Sequence, residues 1–276
     1  MKNRIFTLVL ILVFLAGLSL LLYPTVSDYW NTLHASQAVE NYVQEVEDLN
    51  AAQYDEMLAA ARDYNKTLLG STSALSDEQE AAYEALLNVD GSGIMGYIEV
   101  PTIDLSLPIY HDTRDSVLQI AVGHIKWSSL PVGGESTHCV LSGHRGLPSA
   151  KLFTNLDKLV EGDRFVIHVL NETLTYEVDQ IRTVEPYELD DLGIEEGKDY
   201  CTLVTCTPYG INTHRLLVRG HRVENEPKAI RVTSDATQVK PLLVTPIIAA
   251  PILLVLLIPV FVSGGKKNRR KNTETE

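Results

Sequence analysis

Thr202-Leu-Val-Thr-Cys206-Thr-Pro-Tyr-Gly-Ile-Asn-Thr-His-Arg215 reads as a strand, a loop and the start of a second strand. Leu203 and Val204 are strand formers, and no breaker interrupts Cys201 to Thr205. Pro208 and Gly210 then stop the strand and open a loop. Strand character resumes at Leu216-Leu-Val218. A cysteine therefore stands where one strand ends, and an arginine where the next begins. A strand end held by a sheet presents a thiol rigidly. A second stretch, Val140-Leu-Ser-Gly-His144-Arg-Gly146, is again an apolar strand running out into a loop that carries a histidine.

Cys206, His144 and Arg215 belong together chemically. A thiolate is a nucleophile, and a nearby imidazolium or guanidinium favours it over the thiol. His144 can hold a proton and deliver it to a leaving amine. Arg215 keeps its charge and presents a fork of donors, suited to the oxyanion formed when a carbonyl is attacked. His138 and His214 compete with His144 for the acid–base role, and Arg145 and Arg219 compete with Arg215. The hydroxyls of Ser142 and Thr205 are candidates to bond the histidine or the substrate. No CxxC or HxxxH spacing occurs, so neither a metal site nor a cofactor is expected.

The wording of these stretches is specific. Thr-Leu-Val-Thr-Cys at 202–206, Ser-Gly-His-Arg-Gly at 142–146 and His-Arg-Leu-Leu-Val-Arg-Gly at 214–220 resemble the sortase family in that family's own order. Pro131-Val-Gly-Gly134 and Leu159-Val-Glu-Gly-Asp163 resemble it too, and the likeness runs from about Gly93 to Val223. The resemblance implies a mainly β fold, a closed eight-stranded barrel. It implies a membrane-anchored cysteine transpeptidase that cuts an LPxTG-type sorting signal between Thr and Gly. Cys206 then carries over as nucleophile, His144 as general acid and base, and Arg215 as oxyanion and substrate stabiliser. The helical lead-in ahead of Ile94, the apolar segment Leu242 to Val262 near the C-terminal end and Thr207 to Arg215 resemble class C, the pilus-polymerising type, which passes the acyl group to a pilin lysine. A housekeeping sortase using a cell-wall amine is the alternative within the family. One departure concerns the class C lid, which carries an Asp-Pro-aromatic motif. No such tripeptide lies between Asp28 and Ile94, which leaves Gly70 to Gln79, with Leu75, as the lid candidate. Outside the family, a hydrolytic membrane-bound cysteine peptidase and an inactive surface adhesin remain as readings.

The two ends of the chain bear on location. Ile5 to Tyr23 is almost wholly apolar behind Lys2 and Arg4, and is long enough to span a bilayer. Ser19-Leu-Leu-Leu-Tyr23-Pro24 is not a small-x-small cleavage site, so an uncleaved anchor is expected. Leu242 to Val262 is uncharged and is followed by Lys266, Lys267, Arg269, Arg270 and Lys271. Its three prolines suit a membrane helix better than a soluble one. Basic flanks at both ends predict cytoplasmic termini around an extracytoplasmic domain. Between the terminal segments stand 16 basic and 34 acidic side chains, a net charge of −18, which argues against a nucleic-acid partner.

The expected organisation is a cytoplasmic 1–4, an anchor at 5–23, a helical lead-in at 28–90 and a barrel at 91–225. A tether at 226–241, a membrane helix at 242–262 and a basic tail at 263–276 follow. Asp28 to Leu69 has apolar residues at helical spacing and neither glycine nor proline, which predicts one helix that covers the barrel. Ser76-Asp-Glu-Gln79 reads as a capping box opening a second helix. From Ile94 onward come short strands at the spacing of a barrel or sandwich, between which the sequence pattern alone does not choose. Of three cysteines, Cys201 and Cys206 lie five apart on one strand and face opposite sides, so they cannot pair. Cys139 and Cys201 are expected as small buried residues, with a disulfide between them as the alternative.

Overall fold

The computed structural model describes residues 2–68 and 76–225. Leu75, the 226–241 tether, the apolar segment 242–262 and the basic tail lie outside the described residues. Eight strands close into one barrel in the order β1-β2-β3-β4-β7-β8-β6-β5. They are β1 (Ile94–Val100), β2 (Leu105–Tyr110), β3 (Val122–His124), β4 (Thr137–Ser142), β5 (Arg164–Val169), β6 (Glu172–Val184), β7 (Asp199–Thr207) and β8 (His214–Val223). Closure leaves no free edge, the standing liability of an open sheet.

Strand patterning over Thr173 to Val178, and again over Ile181 to Val184, predicts two strands, but they are one, β6. Its register against β8 shifts between Val178 and Gln180. That bulge bends the long strand around the barrel, a job that period-two patterning does not reveal. Inward residues such as Ile98, Ile109, Leu141, Phe165, Ile167, Tyr176, Leu203 and Val218 are fully buried and form the core.

The helical lead-in is not one helix. α1 (Lys2–Glu47) and α2 (Ala51–Thr67) are separated at Asn50, which caps α2. Its side chain accepts from the Gln53 N–H, and the Gln53 side chain accepts from the Asn50 N–H, a complete capping box. α1 runs through Pro24 without a break. Among the described residues it is the one helix long and apolar enough to cross a membrane.

From Ala35 to Val46, α1 packs on the barrel. The Tyr42 hydroxyl donates to the Met95 carbonyl at 3.1 Å and accepts from the Leu170 N–H at 2.8 Å. Asn65 on α2 bonds both backbone groups of Leu130. α3 (Asp77–Ala85) starts at the expected Ser76–Gln79 box and buries Tyr83. The Tyr83 hydroxyl lies 2.9 Å from the His111 carbonyl and 2.7 Å from His124 Nδ1. The helical stripe thus does cover the barrel, through polar anchors as well as apolar contact.

Candidate active site

β4 and β7 run parallel, with Ser142 opposite Val204, so both strands end at the same rim of the barrel. β8 returns antiparallel to β7 and sets Arg215 directly opposite Cys206. His144 lies two residues past the end of β4. Cys206, Arg215 and His144 are all half-buried.

The His144 loop is held from several sides. The Gly143 N–H donates to the Val204 carbonyl at 3.1 Å, which carries the ladder one step beyond β4. The Gly143 carbonyl accepts from the Thr205 hydroxyl at 2.7 Å. The Phe153 N–H donates to the His144 carbonyl at 3.1 Å. Gly143 is packed on the Phe153 ring so closely that a Cβ there would lie 2.7 Å from it. Gly146 has φ +80° and faces the ring of Tyr209, which ties the histidine loop to the loop after Cys206. The His144 ring is free of these backbone bonds, and its Nε2 lies 3.5 Å from Asp115 Oδ1. Asp115 opens α4 (Asp115–Leu118), a short helix ahead of β3.

The rival residues are engaged elsewhere. His138 is buried, with Nδ1 2.8 Å from the Gly193 carbonyl and Nε2 2.7 Å from Thr202 Oγ1. Burial pushes its pKa down. His214 faces Glu185 at 3.3 Å. Arg219 makes a two-pronged pair with Asp179 and lies over the Tyr200 ring. Arg145 bonds Thr207 and Asp157. Arg215, by contrast, bonds only its neighbour's carbonyl, that of His214, at 3.2 Å among the described residues.

The two hydroxyl candidates are placed differently. Thr205 is buried and its hydroxyl donates to the Gly143 carbonyl, in the loop that carries His144. Alternation along β7 explains this, because Thr205 points to the opposite face from Cys206. Ser142 shares the outer face with Cys206 and ends β4 between Gly123 and Val204. The three cysteines are free thiols. Cys139 and Cys201 are in-register neighbours inside the barrel, and Cys206 is on the outer face.

Sequence reasoning missed an apolar patch below the site. Val140, Val184, Leu192, Val204 and Leu217 form a buried cluster distinct from the core, with Ile125 packed against it. Val204 and Leu217 each stand two residues from Cys206 and Arg215 along their strands, hence on the same face. The same period of two was present in the sequence. Which strands would lie side by side was not.

The region 98–223 matches the family model of the sortase domain. The fold is similar to that of sortase C1 from Streptococcus agalactiae, at 52% identity and a TM-score of 0.68, covering 69% of this chain and all of that one. The chain belongs to the sortase family. A second class C structure, sortase C of Streptococcus pneumoniae, is similar at 43% identity and a TM-score of 0.64, with 69% of this chain and 99% of that chain covered. A curated relative, sortase A of Bacillus anthracis, is 25% identical over 227 residues, covering 82% of this chain and 99% of its own. Identities of 41–52% to class C structures put this sortase in class C. The family is one of cysteine transpeptidases.

Proposed function

We propose that this sortase is a membrane-anchored transpeptidase that cleaves an LPxTG-type sorting signal between Thr and Gly, then transfers the acyl group to a pilin lysine. The observation that carries the reading is the in-register pairing of Cys206 with Arg215 at the rim where the His144 loop also ends. The Cys206 thiolate attacks the threonine carbonyl carbon. The oxyanion that forms accepts hydrogen bonds from the Arg215 guanidinium, which has donors to spare. His144, as imidazolium, protonates the departing glycine amine, leaving a thioester on Cys206. A lysine amine then attacks the thioester and loses a proton to His144. The product is an isopeptide bond, and the thiolate and imidazolium are regenerated. The apolar cluster under Cys206 suits the Leu-Pro part of the signal.

The apolar first half of α1 supports anchoring beside substrates that are themselves membrane-tethered, which raises their effective concentration. The basic flank at Lys2 and Arg4 then puts the N-terminus in the cytoplasm and the barrel outside.

The test uses the full-length protein in detergent, incubated with an LPxTG peptide and a lysine-bearing acceptor peptide. Mass spectrometry is expected to find a thioester on Cys206, loss of the fragment after Thr, and an isopeptide-linked product. A thioester that only water resolves would replace the transpeptidase with a hydrolase. Adduct on Cys139 or Cys201 instead would remove Cys206 as nucleophile.

A further inference from the structure

Arg145 sits between His144 and Gly146, yet its side chain turns away from the face that carries the thiol. That side chain is 8% exposed, the most enclosed basic group among the described ion pairs. Nη1 donates to Thr207 Oγ1 at 3.1 Å, and Nη2 donates to Asp157 Oδ2 at 2.5 Å. Nε is buried with no partner among the described residues. Thr207 directly follows Cys206 and points to the opposite face of β7. Asp157 belongs to the 3-10 helix Leu152–Lys158, whose Phe153 underlies Gly143. One guanidinium therefore joins the histidine loop, the residue after the cysteine and the helix that supports the loop.

This arrangement is a poor device for stability. Removing a guanidinium from water is costly, and its carboxylate partner is 46% exposed and so partly screened. A buried N–H left unpaired adds to the cost. An apolar side chain of the same volume would stabilise the loop as well or better. What the fork does supply is a fixed geometry, since a planar guanidinium holds two acceptors at set angles. Catalysis needs that geometry. His144 lies beyond the strand ladder, and no hydrogen bond joins it to Cys206 among the described residues.

We propose that Arg145 is a positioning residue, which holds the His144 imidazole at its working distance from Cys206 through the Arg145–Thr207 bond. It touches neither the thiol nor the substrate, and it acts through the two loops it bridges. The inference rests on Cys206 and His144 being the reacting pair.

The test is a double-mutant cycle on the full-length protein in detergent, with kcat and KM measured for an LPxTG peptide. Thr207→Val removes the acceptor while keeping shape, and Thr207→Ser keeps the acceptor. Thr207→Val is expected to lower kcat about 10-fold with KM nearly unchanged, because small misplacements of reacting groups cost ~10²-fold or less. Thr207→Ser is expected to restore kcat. Arg145→Met is expected to lower kcat further, and adding Thr207→Val to it should then change nothing. The pH–rate profile should keep its shape as its height falls. Wild-type kcat in Thr207→Val, failure of Thr207→Ser to rescue, or multiplying effects in the double variant would each overturn the proposal. A displaced pH profile would make Arg145 an electrostatic partner of the thiolate instead. If Arg145→Met does not fold, the Thr207 pair alone decides. Absence of any thioester in the wild type would count against the reacting pair, whereas a normal thioester with unaffected Thr207→Val counts against Arg145 alone.

Discussion

Where β4 and β7 begin, a network of hydrogen bonds converges on Asp199. Asp199 accepts from the Gly134 N–H at 2.9 Å and from the Tyr176 hydroxyl at 2.9 Å, with the Thr137 hydroxyl at 3.5 Å. Burial pushes the Asp199 carboxyl up while these bonds hold it down. Where the same two strands run out, Cys206 and Arg215 stand half-buried, and hydrogen bonds hold the backbone of the His144 loop while its ring pairs, among the described residues, with Asp115. One end of the strand pair is finished for stability and the other is left chemically open. A cleft of about 360 Å³ also opens at the saturated end, lined by Arg62, Asp199 and Arg222, far along the strands from the thiol. Depth is therefore a poor guide here. The proposed reactive groups lie half-buried on the outer face of the barrel instead.

The contrast can be broken most directly at the open end. Cys206→Ala is expected to abolish the thioester and lower transpeptidation by at least about 1000-fold, with the melting temperature unchanged. Arg215→Ala is expected to lower kcat/KM by ~10²–10³-fold, the usual cost of one oxyanion donor. Retained activity in either variant would remove that residue from the proposed chemistry. Thr205→Val lies between the two regimes. It leaves the buried Gly143 carbonyl without its partner, so a loss of about 1–3 kcal/mol in stability should accompany a fall in kcat. Thermal melting and peptide kinetics on one preparation read both.

At the saturated end the expected pattern reverses. Tyr176→Phe should cost about 1 kcal/mol of stability and leave kcat untouched. A change in kcat there would mean the two ends are coupled.

The smallest effect is in pH. Burial pushes both His138 and His111 down, so the unfolded chain takes up protons at a higher pH than the folded one. Stability should therefore fall as pH drops from 7.5 through about 6.5, the ordinary imidazole value. Asp199, pushed up, works in the opposite sense only in the carboxylate range. Melting temperatures at pH 7.5 and 5.5 measure the slope, and His138→Gln should flatten it.

Much of this was legible in the chain. Ser76 and Gln79 announced α3, because a cap is a local bond between residues three apart. Asn50 and Gln53 carried the same signal and were overlooked inside a longer apolar stripe. β6 was read as two strands because its bulge depends on the partner β8. The pairings of Asp115 with His144 and of Arg145 with Thr207 were not legible. Their contacts span 29 residues for Asp115 with His144 and 62 for Arg145 with Thr207, and no local pattern encodes such pairings.

By itself the sequence determined the residue types, the strand faces and the family wording, since side-chain alternation and turn chemistry are local. It assigned Cys206 to the face opposite Cys201 and put Arg215 at the start of a strand. Tertiary structure alone decided that β4 lies beside β7 with Ser142 opposite Val204, and that Arg215 faces Cys206 rather than a neighbour. It also decided which arginine is left open, because Arg145 and Arg219 meet carboxylates 12 and 40 residues away in the chain. A period of two says which way a side chain points. Only closure of the ladder around the barrel says what it points beside.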